Sequence, residues 1–247
     1  MPSRSDITYF GAGPARLPTS VLTKASSSLL NHNNTGLGLT EHSHRSTLSS
    51  DILSSATSSF KSLLHAPADY SVLFMQGGGT TQFSSVVYNL LGYWVEKRLR
   101  KYGGDVEKVR KDLKDAKCEY VLTGTWSLKA SEEAARLLGE EHVSIVGDGR
   151  KAGRWGAIAE EKDWKLMDKK NSVFTYYCDN ETVDGVEFGA FPEKLAAVEK
   201  EEDERLVVAD MSSNILSRPV DVKRYAVIFV RSTPSYKNIY GRNCLLT

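Results

Sequence analysis

The chain has 247 residues, enough for one large domain or two small ones with a sizeable hydrophobic core. Its 32 basic and 31 acidic residues nearly cancel, which argues against nucleic acid or an anionic membrane surface as the main partner. The three cysteines are widely spaced and odd in number, and no apolar run approaches the roughly 18 residues that span a bilayer, so the composition excludes a disulfide framework, a CxxC zinc motif and a membrane helix.

The leading segment, residues 1–18, lacks the apolar core of a signal peptide, so we expect a cytoplasmic protein. Two glycines and two prolines in FGAGPARLP predict an extended loop there. A helix is then predicted with Thr19 or Ser20 as its N-cap, and SVLTKASSSLL gives it an apolar face. A second helix is predicted over STLSSDILSSATSSFKSLLHA, in which apolar residues recur at helical spacing.

Between these two helices, the polar segment EHSHRS places His44 beside Arg45. Arginine can hold a carboxylate or a phosphate through paired hydrogen bonds, although an ordinary surface arginine is the simpler interpretation. The other histidines show no metal-ligand spacing, so we expect no metal site; they are His32, His42, His65 and His142.

From residue 71 onward, short apolar runs alternate with helical periodicity. The run SVLFM, Ser71 to Met75, predicts a strand that leads through a glycine loop into a helix over TTQFSSVVYNLLGYWVEKRLR. The strand EYVLTG precedes the helical SLKASEEAARLLG, and further strands are predicted for HVSIVG, SVFTYYCD and RLVVADM. Such alternation predicts an α/β fold with a mostly parallel sheet. The stretch from Lys97 to Lys117 mixes charges of both signs and is interpreted as a solvated excursion.

The segment MQGGGTTQF offers a candidate anion site. Glycines between a strand and a helix let backbone N–H groups approach an anion at the positive end of the helix. The segment has neither the Lys-Ser/Thr pair of an NTPase P-loop nor the GxGxxG spacing of a dinucleotide fold. From the residues alone, a phosphate cradle and a plain tight turn are equally supported.

Two further candidate residues follow predicted strands. Asp210 in LVVADMSS lies at the carboxyl end of a strand, where open α/β sheets bind ligands, although an Asp that caps the following turn is a common alternative. Trp126 in LTGTWS follows a strand and a glycine turn, where its ring can stack on a flat cofactor or simply fill the core. Neither residue identifies a ligand by itself.

Six motifs occur in one order along the chain, namely FGAGPARLPTSVL, EHSHRS, FMQGGGTTQF, TGTWSLKASEEA, NETVDGVEF and VVADMSSNILSRPVDV. In this order they resemble the phosphoserine aminotransferases, which are class-V, fold-type I enzymes dependent on pyridoxal phosphate. The resemblance runs from about Asp6 to Phe229. It implies an α/β large domain over residues 19–229, with a mostly parallel sheet and flanking helices, that is incomplete and lacks the family's small C-terminal domain.

The resemblance also implies roles for individual residues. In pyridoxal 5'-phosphate binding, Gly79 and Thr80 would hold the phosphate, and Trp126 would stack on the ring. Thr182 would bond near the ring hydroxyl, and Asp210 would face the pyridine nitrogen. His44 and Arg45 resemble the family's residues for the substrate anion. Many relatives carry a basic residue at the position of Thr80, so the phosphate would rely here on backbone and hydroxyl donors.

The implied reaction is the transamination of 3-phosphohydroxypyruvate with glutamate, which yields O-phosphoserine and 2-oxoglutarate in serine biosynthesis. The partners are therefore small molecules, namely phosphoserine, glutamate and 2-oxo acids, and neither nucleic acid nor a membrane. The resemblance implies a homodimer for the full-length family. A sulfur-mobilising relative of the same class is an alternative that the cysteines do not favour, because Cys118 and Cys178 fall beside or within predicted strands.

The tail, residues 230–247, departs from the family pattern. Counted from Asp210 without a gap, Pro234 takes the place of the Schiff-base lysine, and Lys237 is the only nearby candidate for that role. Val230 and Arg231 can be encoded by GTAAGA, which resembles a splice donor, so a translated intron is our hypothesis for the tail. The alternative to an active transaminase is therefore a truncated, catalytically inactive chain that at best binds pyridoxal phosphate non-covalently.

Overall fold

The computed structural model describes residues 2–9, 16–75, 78–196 and 204–231, together with the backbone of residues 239–240. Contacts within the chain divide it into two compact units, Met1–Leu63 and Leu64–Thr247.

The first unit is helical. Its α-helices are α1, Thr19–Leu30, and α2, Thr47–Leu63. Short 3₁₀ helices lie at Arg4–Asp6, His32–Asn34 and Leu39–Glu41. Both predicted helices are therefore confirmed.

Helix α1 begins one or two residues earlier than the sequence predicted. Its N-cap is Pro18, whereas the sequence predicted Thr19 or Ser20. The reason is that the Pro18 carbonyl already accepts the N–H groups of Val21 and Leu22, at 3.1 and 3.2 Å. The helical hydrogen-bond pattern therefore begins at the proline.

The second unit alternates strands with helices, as predicted. Its α-helices are α3, Gly79–Lys101, α4, Val106–Leu113, and α5, Thr125–Leu138. Its strands are β1, Ser71–Val72; β2, Lys117–Leu122; β3, Val143–Asp148; β4, Ser172–Cys178; β5, Asn180–Glu181; β6, Val186–Glu187; β7, Val207–Asp210; β8, Val227–Phe229; and β9, Ile239–Tyr240. Short 3₁₀ helices lie at Glu140–His142, Glu161–Asp163, Lys169–Asn171, Glu193–Leu195 and Val222–Arg224.

One sheet contains seven of these strands in the order β1-β9-β8-β7-β4-β2-β3, and β5 pairs with β6 in a separate hairpin. Strands β3, β2, β4, β7 and β8 pair in parallel, whereas β9 is antiparallel to both of its neighbours. The predicted α/β fold with a mostly parallel sheet is therefore confirmed. β1 covers only the first two residues of the predicted run SVLFM, Ser71 and Val72, which pair with β9.

The charged stretch from Lys97 to Lys117 contains the end of α3 and all of α4. Asp105 caps α4, and its carboxylate accepts the N–H groups of Glu107 and Lys108 at 3.1 and 3.2 Å. Most of its charged side chains are exposed or half-buried, as predicted for a solvated excursion.

The core of the second unit lies between the sheet and helices α3 and α5. All seven residues of β4 are buried, as expected for an interior strand of a parallel sheet that is covered on both faces. Phe83 in α3 packs edge-on against Tyr176 and Phe229, with ring centroids 6.1 and 5.7 Å apart. Because Phe83 lies near the start of α3 and Phe229 ends β8, this packing holds the start of α3 at the carboxyl end of the sheet.

Candidate functional site

Helix α3 begins at the carboxyl end of the sheet with Gly79 and Thr80 in its first turn. Gly78, just before it, has a φ of +146°, a conformation that favours glycine, and a Cβ there would lie 2.8 Å from Thr81 Oγ1. No side chain in the described ranges accepts the N–H of Gly79 or Thr80, so the positive end of α3 is open to an anion. Gly77, the first glycine of the predicted loop, lies outside the described residues.

Helix α5 begins at the same edge and carries Trp126 in its first turn. The backbone N–H of Trp126 donates to Glu181 Oε2 at 2.8 Å, and its indole N–H donates to Thr182 Oγ1 at 3.2 Å. Lys129 Nζ lies 5.0 Å from the centroid of the indole ring, within cation–π range. Trp126 and Thr182, two of the residues predicted from the sequence, are therefore in direct contact.

Asp210 ends β7, between β4 and β8 in the sheet. Burial of its carboxyl group raises its pKa to about 6, against the effect of hydrogen bonds from the backbone N–H and the hydroxyl of Ser212. The negative charge of Glu181 also raises this pKa, and the guanidinium of Arg231 lowers it. A cationic group placed against Asp210 would therefore fix it as a carboxylate at neutral pH.

Arg231 is a residue of this region that the sequence did not indicate as functional. Its backbone N–H donates to Ser212 Oγ at 2.7 Å, and the same hydroxyl donates to Asp210. Its side chain extends to the start of α3, since a Cβ on Gly79 would lie 3.5 Å from Arg231 Cδ and 3.7 Å from its Nη1. A cation thus lies beside the open end of α3.

A cavity of about 520 Å³ lies between α3 and α5. Residues of both helices line it, together with one arginine that follows the last parallel strand. They are Gly79, Thr80, Phe83, Trp126, Lys129, Glu132, Glu133, Arg136 and Arg231. Three of the residues predicted from the sequence, Gly79, Thr80 and Trp126, therefore share one cavity. Thr182 bonds to the lining residue Trp126, and Asp210 is connected to the lining residue Arg231 through Ser212.

A buried cluster connects the end of β4 to the loop that follows β7. Asp179 accepts hydrogen bonds at Oδ2 from both Asn214 and Arg218, and its backbone N–H donates to the Asp210 carbonyl at 2.9 Å. Burial raises the pKa of Asp179, while the two donors favour its ionised form. The cluster therefore fixes the loop that carries Ser212, the hydrogen-bond partner of the Asp210 carboxyl group.

The other candidates from the sequence belong to the first unit or to residues that the structure does not describe. His44 and Arg45 form an exposed turn of the first unit, where the backbone N–H of Arg45 donates to Ser43 Oγ at 3.1 Å. Lys237 and Pro234, which bear on the Schiff base, lie outside the described residues.

Among the described residues, no group of three or more His, Cys, Asp and Glu side chains is arranged to hold a metal ion. In the same ranges, every helix is too short or too polar to cross a membrane. Cys118 and Cys178 are both buried, and burial raises the pKa of each thiol. These two cysteines therefore stay protonated and give no support to sulfur chemistry.

Residues 7–99 match the family model described as aminotransferase class-V. The chain is 39% identical over 223 residues to the phosphoserine aminotransferase of Drosophila melanogaster, an alignment that covers 90% of this chain and 52% of that protein. It is 40% identical over 226 residues to the phosphoserine aminotransferase of Saccharomyces cerevisiae, covering 91% of this chain and 53% of that protein. The chain therefore spans about half the length of the curated relatives it matches.

Two solved structures share the fold. PLP-bound phosphoserine aminotransferase from Trichomonas vaginalis aligns with a TM-score of 0.74 and 29% identity, covering 96% of this chain and 58% of that chain. Phosphoserine aminotransferase from Bacillus circulans subsp. alkalophilus aligns with a TM-score of 0.73 and 28% identity, covering 94% of this chain and 55% of that chain.

Proposed function

Since the chain belongs to the phosphoserine aminotransferase family within the class-V aminotransferases, we propose that it binds pyridoxal 5'-phosphate and serves the transamination of 3-phosphohydroxypyruvate with glutamate in serine biosynthesis. One observation carries the proposal: an open helix N-terminus, an indole ring and a buried carboxyl group meet at one edge of the sheet. In this proposal, residues 19–229 form the cofactor-binding large domain.

The residues at this edge fit the phosphate and the ring of the cofactor. The N–H groups at the start of α3 and the hydroxyl of Thr80 would hold the phosphate, and Arg231 would add a positive charge. Trp126 would stack on the ring face. Thr182 Oγ1 already accepts the indole N–H, so its own hydroxyl hydrogen can donate to the ring oxygen.

Asp210 would face the pyridine nitrogen. Its carboxylate favours a proton on that nitrogen, and the resulting positive charge in turn favours the carboxylate over the protonated acid. Burial, which raises the pKa of Asp210 to about 6 in the cofactor-free chain, also keeps water from weakening this pair. When bound, the cofactor supplies an electron sink for the bond that breaks at the α-carbon of the substrate.

The remaining roles in the proposal concern the substrate and the lysine. His44 and Arg45 would hold the acidic groups of the substrate, as the resemblance implies. Proline at position 234 has no amine for an imine, so Lys237 is the candidate that the sequence offers for the Schiff base and for proton transfer. Its use requires a loop bulged over RSTPSY.

A homodimer in the cytoplasm is part of the same proposal. Several large apolar side chains of α1 and α2 are exposed, among them Leu29, Leu30 and Leu53, and a second copy of the chain would cover such surface. The free buried cysteines Cys118 and Cys178 fit a reducing compartment.

The test is a visible spectrum of the purified chain mixed with pyridoxal phosphate, followed by borohydride reduction, mass mapping of modified lysines and a transaminase assay. An imine trapped at Lys237 together with activity supports the whole proposal. Bound cofactor without a trapped lysine would restrict the function to non-covalent binding, which is the alternative of a catalytically inactive chain. The similarity to phosphoserine aminotransferases does not favour that alternative. Folded chain that binds no cofactor would contradict the proposal.

A further inference from the structure

Glu181 is a buried carboxylate to which none of the roles above is assigned. It ends β5, and 0% of its surface is exposed. A buried charge requires hydrogen bonds in place of water. Glu181 Oε2 accepts the backbone N–H of Trp126 at 2.8 Å, and its Oε1 accepts that of Ser127, also at 2.8 Å. Glu181 therefore completes the first turn of α5 from a distant part of the chain.

Gly124, the residue before α5, leaves room for the Glu181 carboxylate because it has no side chain. A Cβ on Gly124 would lie 2.6 Å from Glu181 Cδ and 2.5 Å from Asp184 Oδ2, closer than real Cβ atoms approach. Asp184 in turn accepts the N–H of Thr125 at 2.6 Å. Two carboxylates thus share the positive end of α5, each with its own N–H partner.

The two ends of Trp126 are held by consecutive residues. Glu181 binds its backbone N–H, and Thr182 binds its indole N–H. A change at Glu181 that releases the first turn of α5 would therefore move the indole relative to its neighbours. We propose that Glu181 is a positioning residue that fixes the Trp126 ring for stacking on the cofactor, an inference that rests on the proposed function.

Asp184 provides a matched comparison for this role. It completes the same turn of α5, but it contacts Thr125 through the backbone N–H and the hydroxyl, and not Trp126. D184N therefore weakens a cap of the same kind while Trp126 keeps both of its partners. E193Q, at an exposed glutamate that pairs with Arg224, controls for the change from Glu to Gln itself.

The first experiment titrates pyridoxal phosphate into the wild-type chain, E181Q, W126F and the double variant, with folding checked by circular dichroism. We expect E181Q to weaken binding about ten-fold, the effect of losing one charge-assisted hydrogen bond. The double variant should bind no worse than W126F, because Glu181 acts through Trp126. Equal losses from E181Q in both backgrounds would overturn the proposal, and so would a ten-fold loss in D184N or E193Q.

A second readout needs no cofactor. The chain contains four tryptophans, so labelling with fluorotryptophan gives four fluorine resonances, of which W126F identifies one. The Trp126 resonance should shift in E181Q and keep its position in D184N and E193Q. An unchanged resonance in E181Q contradicts the positioning role, whereas a wild-type chain that binds no pyridoxal phosphate contradicts the proposed function. If E181Q does not fold, E181D replaces it, because Asp keeps the charge and shortens the reach.

Discussion

Helices α3 and α5 begin at the same edge of the sheet, yet their first turns are completed in different ways. Glu181 and Asp184 close the first turn of α5, where their carboxylates accept its backbone N–H groups. No described side chain does this for the first turn of α3, and the guanidinium of Arg231 lies beside that turn instead.

This difference shows how one local pattern serves two purposes. Both helices follow a strand and a glycine turn, and both present unsatisfied N–H groups at a positive helix end. At α5 the protein itself supplies the anions, the carboxylates of Glu181 and Asp184, and the first of these holds the backbone of Trp126. At α3 no described side chain supplies an anion, so a ligand can bind to these N–H groups, as the phosphate of the proposed cofactor would.

The largest effect should come from G124A, which fills the space that α5 keeps for its two carboxylates. The added Cβ would lie 2.6 Å from Glu181 Cδ, and overpacking of this kind costs about 3 kcal/mol of unfolding free energy. Urea unfolding measures the loss. The matched control is G92A, inside α3, where an added Cβ meets nothing within 4 Å and alanine should stabilise the helix by about 0.5 kcal/mol. If G124A is as stable as the wild type, the end of α5 is not closed as described.

The second change converts the end of α3 into one like that of α5. T80D places a carboxylate in the first turn of α3, where it should stabilise the helix slightly and repel a phosphate. We expect pyridoxal phosphate to bind about 100-fold more weakly, because like charges in contact cost several kcal/mol. T80S, which keeps the hydroxyl, is the control and should bind like the wild type. Unaltered affinity in T80D would place the phosphate elsewhere.

Burial, and to a smaller extent the charge of Glu181 at the positive end of α5, raises the pKa of Asp210 from its ordinary value of 3.8 to about 6. The folded chain binds this proton more tightly than the unfolded chain does, so the stabilising contribution is present below about pH 4 and is lost as the pH rises through about 6. Between pH 4 and pH 7 the cofactor-free chain should lose on the order of 2 kcal/mol of unfolding free energy from this group. D210N should flatten this part of the profile. Parallel profiles for the wild type and D210N would show that another group causes the loss.

The smallest effect should come from Arg231, which is exposed beside the open end of α3. R231Q should weaken the binding of pyridoxal phosphate about three-fold and reduce its dependence on salt, because an exposed charge contributes modestly and is screened. R150Q, at an exposed arginine paired with Asp148, is the control and should change neither quantity. Equal salt dependence in R231Q and the wild type would contradict a role for this charge at α3.

The sequence indicated Gly79, Trp126 and Asp210 as candidates because each follows a strand or a glycine turn. In a parallel sheet, all such positions lie at the carboxyl edge, so the order of elements along the chain is enough to bring these residues to one side. The same local order predicted α1, α2, α3, α5 and most of the strands, but not α4, which lies in the stretch interpreted as a solvated excursion. The resemblance to one enzyme family added Thr182, which has no local pattern of its own.

Residues whose roles depend on distant partners were not found from the sequence. Glu181 binds the backbone of Trp126 across 55 residues, and the sequence shows only an acidic residue before Thr182. Arg231 approaches Gly79 because of the order of the strands, which no local pattern states. The predicted length of β1 was wrong: the run SVLFM forms a strand only at Ser71 and Val72.

The most direct test of the contrast between the two helix ends is a titration of the 247-residue chain with pyridoxal 5'-phosphate and with pyridoxal, which lacks the phosphate. If the open end of α3 is the phosphate site, pyridoxal phosphate should bind at least about 100-fold more tightly than pyridoxal, as expected for several charge-assisted hydrogen bonds. T80D should remove most of this difference. Equal affinities of the wild-type chain for the two compounds would contradict the account.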